Sequence, residues 1–311
     1  MTSRPSTAKP SAILLEADAI CELGDLLGRV TIDANYAADK FRNKLEWMQL
    51  TQEDLAELRV ARDLLENPGL AAKLTNLLGA PLEKGFALLP EKWSQAIQKA
   101  VDLSLRRALE VALATLGSRS RRSSERFHKI AVVGTGGLGG AFGLASLPIE
   151  LPLSTTLMLR SIADIARSEK EDLEQPEAQL ACLEVFALGG SREQDDAAET
   201  GYYAVRAALA HSVAEAARHL AERGFTREGA PALVRFLSAI SSRFGIIVSE
   251  KVAAMAVPAI GAVGGAAINA LFIDHFQNMA RGHFKIRKLE RSYGKEVIRS
   301  IYHDLDTIRI P

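Results

Sequence analysis

The chain has 311 residues, enough for one large core or two smaller domains, and its 48% hydrophobic content excludes a disordered chain. Lys plus Arg balance Asp plus Glu at 38 each, so no global field attracts nucleic acid, and attraction to an anionic partner must come from local clusters. Aromatic residues are only 6%, and the apolar content is mostly Ala and Leu, which favours helices over strands. We predict an all-α protein that binds no nucleic acid.

The N-terminal part is predicted to form a frayed tail over residues 1–10, without a secretion signal, and then helices within residues 11–50. Thr51 is a predicted N-cap that opens the main helical domain, residues 51–311. The two cysteines, Cys21 and Cys182, form no C-x-x-C pair, so we predict reduced, buried thiols in a cytoplasmic protein.

Apolar residues at helical spacing continue through the main domain, and no run alternates as a strand does. Pro148 and Pro152 are expected to delay one helix until residue 153. The predicted helices cover residues 51–67, 70–79, 81–89, 91–116, 153–168, 177–188, 197–223 and 226–242.

Two Gly-rich segments, 130–147 and 252–273, carry no charged residue. Small residues four apart carve a groove on a helix, so we predict two central helical segments that pack closely through their glycines. The second segment reaches the ~20 residues of a membrane span, and the first nearly does. Neither has the usual Trp or Tyr belt, so a span, a surface association and a soluble core all stay open. The predicted packing glycines are Gly136, Gly139, Gly140, Gly143, Gly261, Gly264 and Gly265.

Basic residues flank the two segments and are the predicted contacts with a membrane surface. If the segments pack antiparallel, both groups lie at the same end, which would suit an anionic leaflet. The alternative is two solvated basic faces. The residues are Arg119, Arg121, Arg122 and Arg126 before the first segment, and Lys285, Arg287 and Lys288 after the second.

Gly134, Gly136 and Gly139 are spaced as G-x-G-x-x-G, which raises the possibility of a dinucleotide site. That site needs a strand before the glycines, a helix after them and an acidic residue at the end of a second strand. Prolines interrupt the sequence after Gly140, and no second strand follows. A dinucleotide-binding oxidoreductase is therefore the least favoured interpretation, and we predict no cofactor.

Polar residues within apolar surroundings are the candidates for catalysis: Glu150, Arg160, Asp164 and Asn269. The competing interpretation is that Glu150 and Arg160 pair with each other or with a helix end. The histidines have no metal-site spacing, and no G-x-S-x-G elbow is present, so we predict no metal site.

The segments at 147–190 and 251–290 resemble the EcsC family of bacterial proteins. The matching residues are Leu159–Arg160, Ile162, Ile165–Ala166, Val257–Pro258, Gly261, Gly264–Gly265 and Asn269, and the resemblance spans residues 45–290. The turn at Ser168–Glu169–Lys170 departs from the glycine-containing turn of relatives. The resemblance implies a link to membrane transport, because the family is named from an operon that also encodes ABC-transporter components. Some relatives carry a peptidase label, but the resemblance supplies no catalytic residues.

The leading hypothesis is a non-enzymatic cytoplasmic protein that acts at or near the inner membrane surface, with a transporter or another membrane partner. The alternative is a soluble, hydrolase-like enzyme with a site around Glu150, Arg160 and Asn269. A convergence of these residues on an open polar cleft would favour the enzyme.

Overall fold

The computed structural model describes residues 50–66, 69–116, 147–190, 201–224, 231–257 and 261–305. The chain divides into two compact units, Met1–Thr51 and Gln52–Pro311, and the helices below belong to the second. The described residues form helices and contain no strand, which confirms the all-α prediction. Several predictions lie outside the described residues: the N-terminal helices, Cys21, the basic residues 119–126, and the glycines from Gly134 to Gly143.

The described part of the second unit contains helices α1 to α10 and a short 3-10 helix between α6 and α7. Their bounds are α1 Gln52–Glu66, α2 Leu70–Leu78, α3 Leu82–Ala87, α4 Trp93–Thr115, α5 Leu147–Ser168, α6 Pro176–Glu184, the 3-10 helix Val185–Ala187, α7 Gly201–Arg223, α8 Pro231–Ala256, α9 Gly261–Tyr293 and α10 Lys295–Asp304.

The expected start of a helix at residue 153 is wrong, because α5 begins at Leu147 and continues through both prolines. Pro148 lies in the first turn, where backbone N–H groups have no partner within the helix, so its missing donor costs little. Pro152 is the sixth residue of α5, where only the bond back to residue 148 is lost. Glu150 therefore projects from a regular helix rather than from a turn between two prolines.

The second Gly-rich segment, 252–273, is divided between two helices. Helix α8 does not end near Ser242 but continues to Ala256, because Phe244, Ile247 and Val248 extend its buried face. Helix α9 then begins at Gly261 and runs to Tyr293. The segment therefore contributes the last turn of α8 and the first turns of α9.

An aromatic cluster forms the centre of the core. Phe186 from the 3-10 helix meets Phe244 of α8 and Phe276 of α9, with ring centroids 5.1 and 5.3 Å apart. Phe272 packs edge-on against Phe276 at 5.1 Å. All of these rings are fully buried. The two longest helices, α8 and α9, are thus joined through the core rather than at the surface.

Two glycines outside the Gly-rich segments allow close helix approaches. A Cβ atom on Gly85 of α3 would lie 2.1 Å from the carbonyl oxygen of Ala253 on α8. A Cβ on Gly282 of α9 would lie 2.6 Å from Leu65 and 2.9 Å from the carbonyl oxygen of Ala61, both on α1. At each position, the backbones are closer than any other residue would permit.

Substitution of Gly85 by alanine should therefore destabilise the protein, because the added methyl group meets backbone that cannot turn aside. We expect Gly85→Ala to lower the free energy of unfolding by ~3 kcal/mol. Gly245→Ala is the matched control, because its Cβ would meet only the flexible Gln98 side chain, at 3.3 Å. That variant should be neutral or stabilised by up to ~1 kcal/mol through helix propensity. Urea unfolding followed by circular dichroism measures both, and equal midpoints for the two variants would contradict the close approach.

His275 of α9 is buried, and its Nε2 atom has no hydrogen-bond partner. Burial and the charge of Lys73 together lower its pKa from 6.5 to about 4, although a hydrogen bond with the backbone of Leu188 opposes the shift. Between pH 6.5 and about pH 4, the unfolded chain binds a proton at His275 that the folded protein does not. The free energy of unfolding must therefore fall as pH falls through this interval. His283, also buried, has its pKa lowered too, whereas burial raises the pKa of Glu250 to about 7 and opposes the effect.

Acidification from pH 6.5 to pH 4 should therefore cost ~3 kcal/mol of unfolding free energy at His275 alone. The variant His275→Gln cannot take up this proton, so its stability should fall less steeply over the same interval. Urea unfolding at several pH values gives both slopes. Identical slopes would show that His275 does not titrate in this way.

Candidate functional site

A buried polar cluster joins three helices, and it consists of Glu150 on α5, Lys251 on α8 and Asn269 on α9. The Lys251 Nζ atom donates to Oε1 of Glu150 at 2.7 Å. The amide Nδ2 of Asn269 donates to the same carboxylate oxygen at 3.2 Å. The three residues are 6%, 0% and 2% exposed, so the cluster is closed to solvent.

Two acceptor atoms of this cluster lack partners. The second carboxylate oxygen of Glu150, Oε2, and the side-chain oxygen of Asn269, Oδ1, are both buried without a hydrogen bond. The nearby sequence contributes a third such atom, the hydroxyl oxygen of Thr155 on α5. Buried polar groups are nearly always satisfied, so the cluster retains capacity to accept hydrogen bonds from water or from a donor.

The charge of Lys251 is held by two features. Burial lowers its pKa, while the Glu150 carboxylate opposes that shift by attraction and by its hydrogen bond. In addition, the ammonium lies 4.8 Å from the centre of the Phe272 ring, within range of a cation–π interaction. A buried ion pair of this kind is weak as a source of net stability but costly to break from one side.

The other two candidates for catalysis lie away from this cluster. Arg160 is exposed on α5, so the predicted pairing of Glu150 with Arg160 is wrong and Lys251 takes that role. Asp164 pairs with Arg167 one turn later, at 3.0 Å. Only Glu150 and Asn269 converge, and they do so in a buried cluster rather than an open cleft. Among the described residues, no group of three His, Cys, Asp or Glu side chains could hold a metal ion.

The free thiol of Cys182 is buried, as predicted, and burial raises its pKa well above the ordinary value. A thiol in that state is a poor nucleophile. Cys182 is therefore a packing residue of α6.

The predicted membrane-surface residues of α9 make ion pairs within the protein. Lys288 contacts Glu57 of α1 at 2.8 Å, and Lys285 contacts the same carboxylate group at 3.6 Å. Arg287 makes a two-point contact with Glu171, at 2.9 and 3.2 Å. These three side chains therefore tie α9 to neighbouring segments, and an anionic surface would compete with carboxylates for them.

A different feature of α5 faces outward. Ile149 is 79% exposed and Leu153 is 49% exposed, although both are large apolar residues in the first turns of a helix. Arg160 lies on the same face, because residues 149, 153, 156 and 160 follow helical spacing. We call Ile149, Leu153 and Arg160 the outer stripe of α5.

By length and composition, α8 is the one described helix that could cross a membrane, with a mean hydropathy of 1.4 over its best 18-residue window. Of that window, 44% is buried inside the protein. Core helices of soluble proteins pass the same test, so this property alone is weak evidence.

Sequence reasoning missed Lys251, although a signal was present. Lys251 is the last charged residue before the uncharged segment 252–273, and Glu150 is the first charged residue after the segment 130–147. Two charges of opposite sign that each border an apolar segment are candidates to pair when those borders meet.

Removal of one member of the pair should be much more harmful than removal of both. Glu150→Gln or Lys251→Met should each lower the unfolding free energy by ~3–5 kcal/mol, because an unpaired charge stays buried. The double variant should recover at least ~2 kcal/mol of the summed loss. The exposed pair Arg235–Glu215, at 2.9 Å, is the control cycle and should show little or no coupling, because solvent screens it. Additive losses at Glu150 and Lys251 would rule out the pairing.

Comparisons with known proteins identify the family. Residues 52–289 match the model of the EcsC protein family, as the resemblance in the sequence implied. No curated protein and no solved structure matches the chain. The matched range begins at α1, includes the buried cluster and ends within α9. The chain belongs to the EcsC protein family.

Proposed function

We propose that this protein is a non-enzymatic helical protein that acts at the inner membrane surface, where it assists a transporter or another membrane partner. The outer stripe of α5 is the part of the protein that contacts the membrane. The single observation that carries the proposal is the exposure of Ile149 and Leu153 in the first turns of that helix.

The setting of the outer stripe supports a lipid surface as its partner. The exposed apolar residues directly follow the uncharged segment 130–147, which the basic residues Arg119 to Arg126 precede. Apolar residues that enter the headgroup boundary, together with nearby cations, are typical of peripheral membrane contacts. Arg160 is eleven residues after Ile149, about 16 Å along the helix, at a height where it can reach anionic headgroups.

The alternative function, a hydrolase-like enzyme, has less support. Its residues would be Glu150, Arg160 and Asn269, but Arg160 points away from the other two. Glu150 and Asn269 are enclosed with Lys251, and a substrate would have to displace a buried ion pair to reach them. A surface role requires no such opening.

The proposal predicts that the outer stripe is needed for vesicle binding. The double variant Ile149→Glu/Leu153→Glu should bind vesicles rich in anionic lipid at least about tenfold more weakly, because each buried apolar side chain contributes ~1.5 kcal/mol or more. Arg160→Glu should weaken binding at low salt and lose most of its effect at high salt. Co-sedimentation of the full chain with the vesicles measures both variants.

Val234→Glu on α8 and Leu103→Glu on α4 are the matched controls, because these residues are 47% and 52% exposed. Both controls should bind vesicles as the unchanged protein does. Two results would refute the assignment: no vesicle binding by the unchanged protein, or equal losses in the outer-stripe and control variants.

A further inference from the structure

A cleft of about 760 Å³ lies between α6, α7, α9 and α10, away from the buried Glu150 cluster and from the outer stripe. Its volume is in the range of sites for small organic ligands. No local sequence pattern marks this cleft, because its residues come from two pairs of helices in separate stretches of the chain, 177–218 and 287–295.

One wall of the cleft is apolar. It is formed by Ala210, Val213, Ala214 and Ala217, which follow helical spacing along a single face of α7. Small side chains leave room for a ligand to approach the helix. This wall suits a short apolar part of a ligand rather than a charged part.

Two arginines that line the cleft are already paired with carboxylates. Arg206 of α7 makes a two-point contact with Glu290 of α9, at 2.6 and 3.0 Å. The hydroxyl of Tyr203 also donates to Glu290, at 3.3 Å. Arg287 is held by Glu171 as described above. These guanidinium groups contribute positive potential, but they already donate hydrogen bonds to carboxylates within the protein.

Two further cations that line the cleft are not paired with a carboxylate that the structure describes. Arg218 of α7 and Lys295 of α10 are exposed, and neither forms an ion pair with a residue that the structure describes. Arg291 adds a further positive charge, although it contacts Glu171 and the backbone oxygen of Glu169. The cleft can therefore supply at least two cationic donors to an incoming anion.

Glu184 of α6 provides an independent sign of a ligand. Its side chain lines the cleft, is only 6% exposed, and forms no ion pair or hydrogen bond with the described residues. Burial raises its pKa despite the nearby charges of Arg206, Arg287 and Lys295. A buried polar side chain that lines a cleft without a partner is a group whose hydrogen bonds a bound ligand can complete.

We propose that this cleft binds a phosphate monoester that carries a short apolar group. Arg218 and Lys295 hold the phosphate, and the apolar group lies against the small residues of α7. The proposal does not depend on the membrane-surface role.

Isothermal titration of the full chain with hexyl phosphate, at constant ionic strength, tests this site. Binding should be saturable, and inorganic phosphate, which lacks the apolar group, should bind at least about tenfold more weakly. The variant Arg218→Ala/Lys295→Ala should lose at least about tenfold in affinity. Lys99→Ala/Arg107→Ala, which removes two exposed cations from α4, is the matched control and should keep the affinity of the unchanged protein.

Glu184→Gln distinguishes an anion site from a cation site. Glutamine has no charge, so hexyl phosphate should bind as tightly as before or more tightly. Competition by vesicles that contain phosphatidate would identify a lipid headgroup as the natural source, and a lack of competition would identify a soluble ester. The proposal is overturned if hexyl phosphate does not bind, if Arg218→Ala/Lys295→Ala binds it unchanged, or if hexyltrimethylammonium binds in its place.

Discussion

The ion pair between Glu150 and Lys251 is the interaction on which the described fold depends most. It joins the first turn of α5 to the end of α8, and Asn269 adds α9 to the same carboxylate oxygen. The desolvation of both charges costs free energy, so the pair is favourable only if the helices hold it in good geometry. It therefore specifies how three helices meet rather than contributing a large net stability.

The pair also brings together two described positions that border uncharged segments of the sequence. One segment ends shortly before Glu150, and the other begins directly after Lys251. Because each charge needs its partner once buried, the borders of the two segments are brought together. The aromatic cluster around Phe276 and the close approach at Gly85 then fix α8 against its neighbours.

Much of the fold could be predicted from the sequence, because the composition and the apolar spacing both favour helices. The existence of α4 and α7 follows from long periodic patterns, which are the strongest signal. The errors lie where local rules were overridden: α5 continues through Pro152, and α8 continues past Ser242 because its buried face extends to Val252. Of the candidate site, Glu150 and Asn269 could be found as polar residues in apolar surroundings, whereas Lys251 is indicated by its position at the border of an uncharged segment. The contact of Lys251 with Glu150 joins residues 101 positions apart, and local spacing carries no information about it.

The buried cluster fixes how three helices meet. We propose that the outer stripe of α5 contacts a membrane surface and that the cleft beside α7 binds a small anion. The membrane-surface role is the central claim, and fractionation of cells that contain the native protein tests it most directly. The protein should pellet with membranes and be released by carbonate, because its contact is peripheral and partly apolar. Recovery wholly in the soluble fraction at low salt would contradict the claim, as would retention in the pellet after carbonate, which would require an inserted segment.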